Sequence, residues 1–197
     1  MSLKDIESFL REKAAWIREK QGEQRKAPPV RAFRAIEGTV IHWRGKPHTL
    51  KVEANLFDSI EISGTSLVVR TPLPIEEALV RSKIERWLFD QAKSVLTMRF
   101  EEILARFPTP PIPARNLRIR RLRSRWGSCS PNGDISLHSG LIHYPDDAMD
   151  YVLAHEIAHL THRNHKKRFY ALLDRAMPQW RKGRSHLRGD YEPALEP

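Results

Sequence analysis

The chain has 197 residues, of which 40% are hydrophobic and 29% are charged, and it carries a formal net charge of +10 at pH 7. These values predict a globular protein with one sizeable core and room for a small appended lobe, and no apolar stretch is long enough to span a membrane. The charged start, Met1–Glu7, lacks the apolar segment of a secretory signal, and the single cysteine, Cys129, excludes an intramolecular disulfide framework. We therefore expect a cytoplasmic protein without a membrane partner.

The first 72 residues divide into two predicted parts. Residues 1–30 form an N-terminal extension, in which apolar residues at helical spacing over 2–20 predict an amphipathic helix before a linker. Residues 31–72 carry short alternating apolar runs broken by glycine and proline, which predict a β-rich lobe built on an antiparallel sheet. The predicted strands of this lobe are residues 39–43, 49–52 and 66–69.

Residues 73–190 are predicted to form the catalytic core, followed by a short tail at 191–197. The stretch 75–107 contains neither glycine nor proline, which predicts one or two long helices. Residues 117–129 predict a strand that turns back into a partner beginning at Ile135. One of the strands in this hairpin is a candidate to bind an extended peptide through backbone hydrogen bonds.

The motif His155-Glu156-x-x-His159 predicts a metal site with its general base built in. Two histidines four residues apart on an α-helix lie about 40° from each other around the axis and about 6 Å apart along it, so both imidazoles can reach one ion. Glu156 points beside that ion, where a carboxylate can take a proton from an activated water. The flanking residues are largely apolar, and unpaired histidine and glutamate on a buried helix would be costly.

A hydrolytic metal needs a third protein ligand, and His165 is the candidate. Asn164 tolerates the left-handed conformation that ends many helices, so a helix that stops there leaves His165 free to swing towards the ion. His162 would lie in line with the other two histidines and is therefore assigned to the rim of the site. At the start of the same helix, Asp146 and Asp147 are predicted to act as caps.

Several motifs occur in an order that resembles one known family. They are Arg125–Ser130, Gly133–Ile135, Asp150–Leu160 and Asn164–Phe169. Over about residues 45–178 and the basic segment that follows, the chain resembles the YgjP-like predicted metal-dependent hydrolases, relatives of the SprT-like and WLM-type zinc metallopeptidases. The N-terminal extension lies outside this resemblance. The resemblance implies an α+β fold with a zincin-like, minigluzincin-type core, in which His155, His159 and His165 bind zinc and Glu156 is the catalytic carboxylate.

The predicted chemistry is attack of an activated water on a scissile carbonyl, with Glu156 as the general base. Three imidazoles favour Zn²⁺ as the cofactor without excluding Ni²⁺, Co²⁺ or Mn²⁺. A further donor must stabilise the developing oxyanion, and the sequence does not select among the candidates. By residue type these are Arg125, Tyr151, His162 and Tyr170.

Basic residues crowd both sides of the motif and predict a polyanionic partner, either nucleic acid or a nucleotide. Trp180 is a further substrate-binding candidate, because an exposed indole could stack on a base. The alternative is a solvated basic surface that keeps the protein soluble. The basic residues are Arg115, Arg118, Arg120, Arg121, Arg123 and Arg125 before the motif, and Arg181, Lys182, Arg184, His186 and Arg188 after it.

Three classes of function follow. The first is a zinc metallopeptidase that acts on protein or peptide substrates. The second is a nucleotide phosphohydrolase of the nucleoside triphosphate pyrophosphatase type, because the same activated water can attack phosphorus. The third is a nucleic-acid-associated binding module with a structural metal, which would leave Glu156 without a chemical role. The sequence leaves the oligomeric state open.

Overall fold

The computed structural model describes residues 33–108, 113–122 and 124–187, so the helix predicted at 2–20, its linker and the tail at 191–197 lie outside the described residues. The described chain has the mixed α+β architecture expected from the sequence. Its elements are β1 (Val40–Trp43), β2 (Lys46–Ala54), β3 (Ser59–Ser63), β4 (Ser66–Thr71), α1 (Glu77–Leu104), β5 (Leu117–Arg120), β6 (Gly127–Cys129), β7 (Ile135–His138), a 3-10 helix (Ser139–His143), α2 (Asp146–Ala158), α3 (Lys167–Ala176) and α4 (Trp180–Ser185). None of the helices in the described ranges combines the length and apolar character needed to cross a bilayer.

The first sheet is mixed, and the prediction of a purely antiparallel lobe was wrong. Its strand order is β1-β2-β4-β3, with β2 and β4 parallel and the other two pairs antiparallel. The pattern of burial explains this order. Every residue of β4 except Arg70 is buried, whereas alternate residues of β3 are exposed. The more apolar β4 therefore occupies the inside of the sheet, and β3, which the sequence analysis missed, forms its edge.

The second sheet has the order β5-β7-β6, with β5 parallel and β6 antiparallel to the central β7. The predicted hairpin between β6 and β7 is confirmed. The single strand predicted over 117–129 is wrong, because the chain leaves the sheet after Arg120 and returns on the other side of β7. The sequence marks this break. Arg120 and Arg121 are consecutive charged residues, so the alternation of apolar and polar residues ends there, and a continued strand would turn the later side chains to the opposite face.

Helix α1 is one continuous helix of 28 residues, which settles the prediction of one or two. Its buried face joins both sheets and the later helices in a single hydrophobic core. That core is continuous across residue 72, and the division into a β-rich lobe and a catalytic core there remains a prediction. Fully buried core residues include Ile41, Leu50, Leu67, Ile84, Leu96, Ile135, Leu137, Leu153 and Phe169.

Helix α2 starts at a junction with the first sheet. The turn between β1 and β2 places Gly45 at φ +75°, and a Cβ there would lie 2.6 Å from Cγ of Pro145. Next to it, Arg44 donates to both carboxylate oxygens of Asp146, at 2.9 and 2.5 Å. Arg99 of α1 forms the same bidentate contact with Asp150 and donates to its two carboxylate oxygens at 2.7 and 2.8 Å. These contacts fix the start of α2 relative to the rest of the core.

The predicted capping by Asp146 and Asp147 was wrong in its detail. The N-cap position of α2 is Pro145, and no side chain caps it. Both carboxylates lie in the first helical turn, where the helix dipole favours negative charge. Arg44 donates to the carboxylate of Asp146, and Lys182 forms an ion pair with Oδ2 of Asp147 at 3.2 Å.

Candidate metal centre

The end of α2 turns the chain back towards the helix. Helix α2 stops at Ala158, with His159 as its C-cap, and the next amides donate to the carbonyls of Ile157 and Ala158 in a tight turn. The turn therefore comes earlier than predicted and does not use Asn164. Among the described non-glycine residues only Arg44 has a positive φ. A 3-10-like turn reverses the chain without any left-handed residue, which explains the difference.

This turn brings His155, His159 and His165, here called the histidine triad, to one point. Nε2 of His165 lies 3.1 Å from Nε2 of His155 and 3.1 Å from Nε2 of His159. Zinc–nitrogen bonds of about 2.0–2.1 Å in a tetrahedral site place their nitrogens about 3.3–3.4 Å apart, so this spacing fits such an ion. The sequence-predicted ligands are therefore close together and could hold a metal.

The protonation of the triad also suits a cation. Nδ1 of His159 lies 3.0 Å from the carbonyl oxygen of His162, so it donates there and leaves the Nε2 lone pair facing the other rings. Burial, followed by the neighbouring imidazoles, lowers the pKa of His155 to about 3, and burial also lowers the pKa of His159. Metal binding requires neutral imidazoles, and these shifts favour the neutral form of His155 and His159.

Phe169 packs against all three rings of the triad. Its ring centroid lies 5.1 Å from that of His155, 4.9 Å from that of His159 and 4.8 Å from that of His165. The side chain is fully buried. Its position behind the imidazoles was not predicted. Because one rigid ring contacts all three, Phe169 restricts the rotation of the candidate ligands.

Glu156 is buried next to the triad. It is 6% exposed, and this burial raises its pKa to about 7, against the opposing effect of the positive charge of Arg125. The backbone of β6 backs the carboxylate at Gly127, where a Cβ would lie 2.7 Å from Oε1 of Glu156. A glycine inside a strand often marks such a close approach, and this was the available signal for a site residue that the sequence analysis missed.

Comparison with known families decides the classification of this chain. A family model described as YgjP-like, metallopeptidase domain, matches residues 1–190. The chain belongs to the YgjP-like family. No curated protein and no solved structure matched it. The resemblance stated from the motifs is thereby confirmed, and the family is one of metal-dependent hydrolases of the peptidase type. The match begins at residue 1, so placing the N-terminal extension outside the family was wrong.

Arg163 joins the turn that carries the histidine triad of this YgjP-like domain to the end of β6. Its guanidinium donates to the carbonyl oxygens of Ser130 at 2.8 Å, Pro131 at 2.9 Å and Cys129 at 3.3 Å. It precedes His165 by two residues, so the same side chain ties the third candidate ligand to the strand that backs Glu156.

Three further residues predicted to bind substrate lie near the candidate metal centre of this YgjP-like domain, and they differ in burial and in neighbours. Arg125 is exposed, and its charge acts on Glu156. His162 is half-buried and lines a cavity beyond the triad. Tyr170 is half-buried, with its ring edge-on to Phe169 at 5.4 Å. All three residues therefore stay candidates for substrate binding.

Trp180 cannot stack on a base as predicted. It is only 4% exposed, and its ring is stacked between Tyr151 at 5.8 Å and Tyr170 at 5.7 Å. Its Nε1 donates to Asp174 at 2.8 Å. Helix α4 comes close enough to α2 for this packing because Gly183 has no side chain, and a Cβ there would lie 2.9 Å from Cβ of Tyr151. Trp180 therefore supports the site from within the core.

Proposed function

We propose that this YgjP-like protein is a zinc-dependent peptidase with a zincin-like core. One observation carries the proposal: nitrogens of three imidazoles lie within 4.8 Å of one another, beside the buried carboxylate of Glu156. The metal ligands are His155, His159 and His165, and Glu156 is the catalytic residue. Three histidines are a ligand set that leaves zinc one open position for chemistry.

Zinc bound there supplies a Lewis acid that makes a water acidic near neutral pH and polarises a carbonyl. Glu156 moves the protons. Its carboxylate can accept the proton of the attacking water, and the resulting carboxyl group can donate that proton to the leaving amine. The side chain is buried, and Gly127 lets the backbone of β6 approach it closely.

The substrate is proposed to bind along β6. This strand lies at the edge of its sheet, in the order β5-β7-β6, and its residue Gly127 faces Glu156. An extended peptide that pairs with such an edge gains main-chain hydrogen bonds, and here its backbone would run past the general base. Arg163 occupies carbonyls at the far end of β6, which limits the pairing segment to the residues nearest Glu156.

A second candidate function is hydrolysis of a nucleotide phosphate. Two arginines without a carboxylate partner in the described part of the chain favour it. The charge of Arg125 acts on Glu156, and the charge of Arg184 acts on His155. Two guanidinium groups near a hydrolytic centre could hold a phosphate. The arginines exposed on β5, Arg118 and Arg120, would extend such a basic surface towards nucleic acid.

The deciding experiment compares the zinc-loaded wild type with Glu156→Gln. The matched control is Glu101→Gln, an exposed glutamate on α1. Each protein is incubated with an unfolded protein, monitored by mass spectrometry, and with nucleoside triphosphates, monitored by pyrophosphate release. We expect peptide release that Glu156→Gln abolishes and Glu101→Gln retains, with the same zinc content in all three. Pyrophosphate release without peptide release would select the second candidate. Activity that survives in Glu156→Gln would exclude both hydrolases.

We also infer a reducing compartment, the cytoplasm, as the place of action. The one cysteine, Cys129, is half-buried, and burial raises the pKa of its thiol. A thiol kept protonated by burial is a packing group that needs no disulfide partner. Locating a tagged full-length protein in its own cells tests this inference.

A further inference from the structure

A cationic cavity adjoins the candidate metal centre at the start of α3. Its volume is about 450 Å³, and its polar wall includes His162, Lys166, Lys167 and Arg168. Phe169 lines the same cavity and also packs against the histidine triad. The cavity therefore begins one side chain away from the metal ligands.

Within the described residues, no carboxylate neutralises the positive charge of this cavity. Lys166, Lys167 and Arg168 are exposed, and none of them has a carboxylate within ion-pair distance in the described part of the chain. The sequence between Glu156 and Asp174 contains no acidic residue. Adjacent like charges on one wall repel each other, so an anion in the cavity would be stabilised by all three.

We propose that this cavity binds acidic side chains of a polypeptide substrate close to the scissile bond. This inference rests on the peptidase function proposed above. Rigid recognition of a phosphate favours an arginine fork. One guanidinium that lines this cavity, that of Arg163, is already occupied by the carbonyls of Ser130 and Pro131. Two of the three remaining cations are lysines, whose flexible stems can follow carboxylates at variable positions along a peptide.

The test measures binding by the zinc-loaded Glu156→Gln protein, which holds its ligand without cleaving it. The probe is a fluorescein-labelled unfolded acidic protein, compared with the same protein after its carboxylates have been converted to amides, by fluorescence anisotropy. The cavity variant is K166Q/K167Q/R168Q. The matched control, K51Q/R86Q/K93Q, removes three exposed cations from β2 and α1 and gives the same net charge.

We expect the cavity variant to weaken binding of the acidic protein about tenfold, and added salt to weaken the parent protein more than the variant. The control variant should bind like the parent, and amidation of the probe should weaken parent binding by a similar factor. Zinc content is measured in every sample. If the triple variant loses zinc, K167Q/R168Q replaces it, because that variant leaves the neighbour of His165 unchanged.

Equal loss in the cavity and control variants would overturn the inference, because it would mean that only the overall charge matters. Binding that is insensitive to amidation would overturn it as well. If the cavity variant loses affinity for a single-stranded DNA oligonucleotide but not for the acidic protein, the cavity binds nucleic acid instead. Cleavage assays with the wild-type protein distinguish this inference from the peptidase proposal. Cleavage of the acidic and amidated proteins at equal rates would overturn the inference and leave the peptidase intact, whereas absence of any cleavage would remove the peptidase while the binding data still decide the cavity's ligand.

Discussion

Gly127 lies directly against the carboxylate of Glu156, so the backbone of β6 contacts this side chain of α2 with no side chain of its own in the way. We predict that Gly127→Ala displaces Glu156, because the added Cβ would lie 2.7 Å from Oε1. Displacement of a catalytic group by about 1 Å costs on the order of a hundredfold in rate, so we expect kcat to fall by about that factor while zinc binding persists. Steady-state kinetics with a zinc assay measure both quantities.

The control for this prediction is Gly38→Ala. Gly38 also has a special conformation, with φ +84°, but a Cβ there would meet no atom within 4 Å. This variant should lose some stability and keep its kcat. If Gly127→Ala retains wild-type kcat at full zinc occupancy, the contact with Glu156 has no catalytic importance.

Arg163 should maintain the affinity for zinc from outside the ligand set. Replacing it with alanine removes the hydrogen bonds to the carbonyls of Ser130 and Pro131 and frees the turn that carries His165. Groups that orient metal ligands typically contribute about 10–100-fold to metal affinity, and we expect a loss in that range. Titration against a competing chelator measures it, with the exposed Arg86→Ala on α1 as the matched control. Unchanged affinity in Arg163→Ala would show that the turn is rigid without this residue.

Zinc should stabilise the folded protein through the histidine triad. Zinc at 100 times its dissociation constant adds about 2.7 kcal/mol to the free energy of unfolding, provided that the unfolded chain does not bind it. Removing zinc with a chelator should therefore lower the Tm by several degrees, as measured by thermal unfolding. His165→Ala should abolish this difference. His162→Ala should retain it, because only the backbone carbonyl of His162 contacts His159. The same zinc effect in both variants would exclude His165 as a ligand.

His143 should make the stability depend on pH. It is 5% exposed, Nδ1 lies 2.7 Å from the carbonyl oxygen of His42, and burial lowers its pKa from 6.5 to about 4. As the pH falls, the unfolded chain takes up this proton first. The contribution to stability is therefore complete above pH 6.5 and is lost as the pH falls to 4. At 1.36 kcal/mol per pKa unit the loss is about 3 kcal/mol.

The matched variant for this prediction is His143→Gln, whose amide can still donate to His42 and does not titrate. Free energies of unfolding are measured by denaturant titration between pH 4 and pH 7 in zinc-free buffer. The difference between wild type and variant should shift by about 3 kcal/mol in favour of the variant at the low end of this range. Parallel curves for the two proteins would mean that His143 carries its proton equally well in the folded state.

Local patterns accounted for the elements that needed no distant partner. The spacing of His155 and His159 predicts their common face because a helix repeats every 3.6 residues, whatever it packs against. The long helix α1 followed from a stretch without glycine or proline, and the turn between β6 and β7 from its Gly133, which has φ +87°. These features depend on residues close together in the chain, where backbone geometry is decisive.

Contacts between distant segments decided the rest. The parallel pairing of β2 with β4, the burial of Trp180 between two tyrosines and the reach of Arg163 to the end of β6 depend on which surfaces pack together. Amino-acid type alone could place Trp180 on the surface or in the core, and only the absence of a side chain at Gly183 allows α4 to bury it. The sequence by itself therefore determined the candidate ligand set and the candidate general base of this protein. Tertiary packing decided which residues contact Glu156 and the histidine triad, because those contacts join residues that no local periodicity connects.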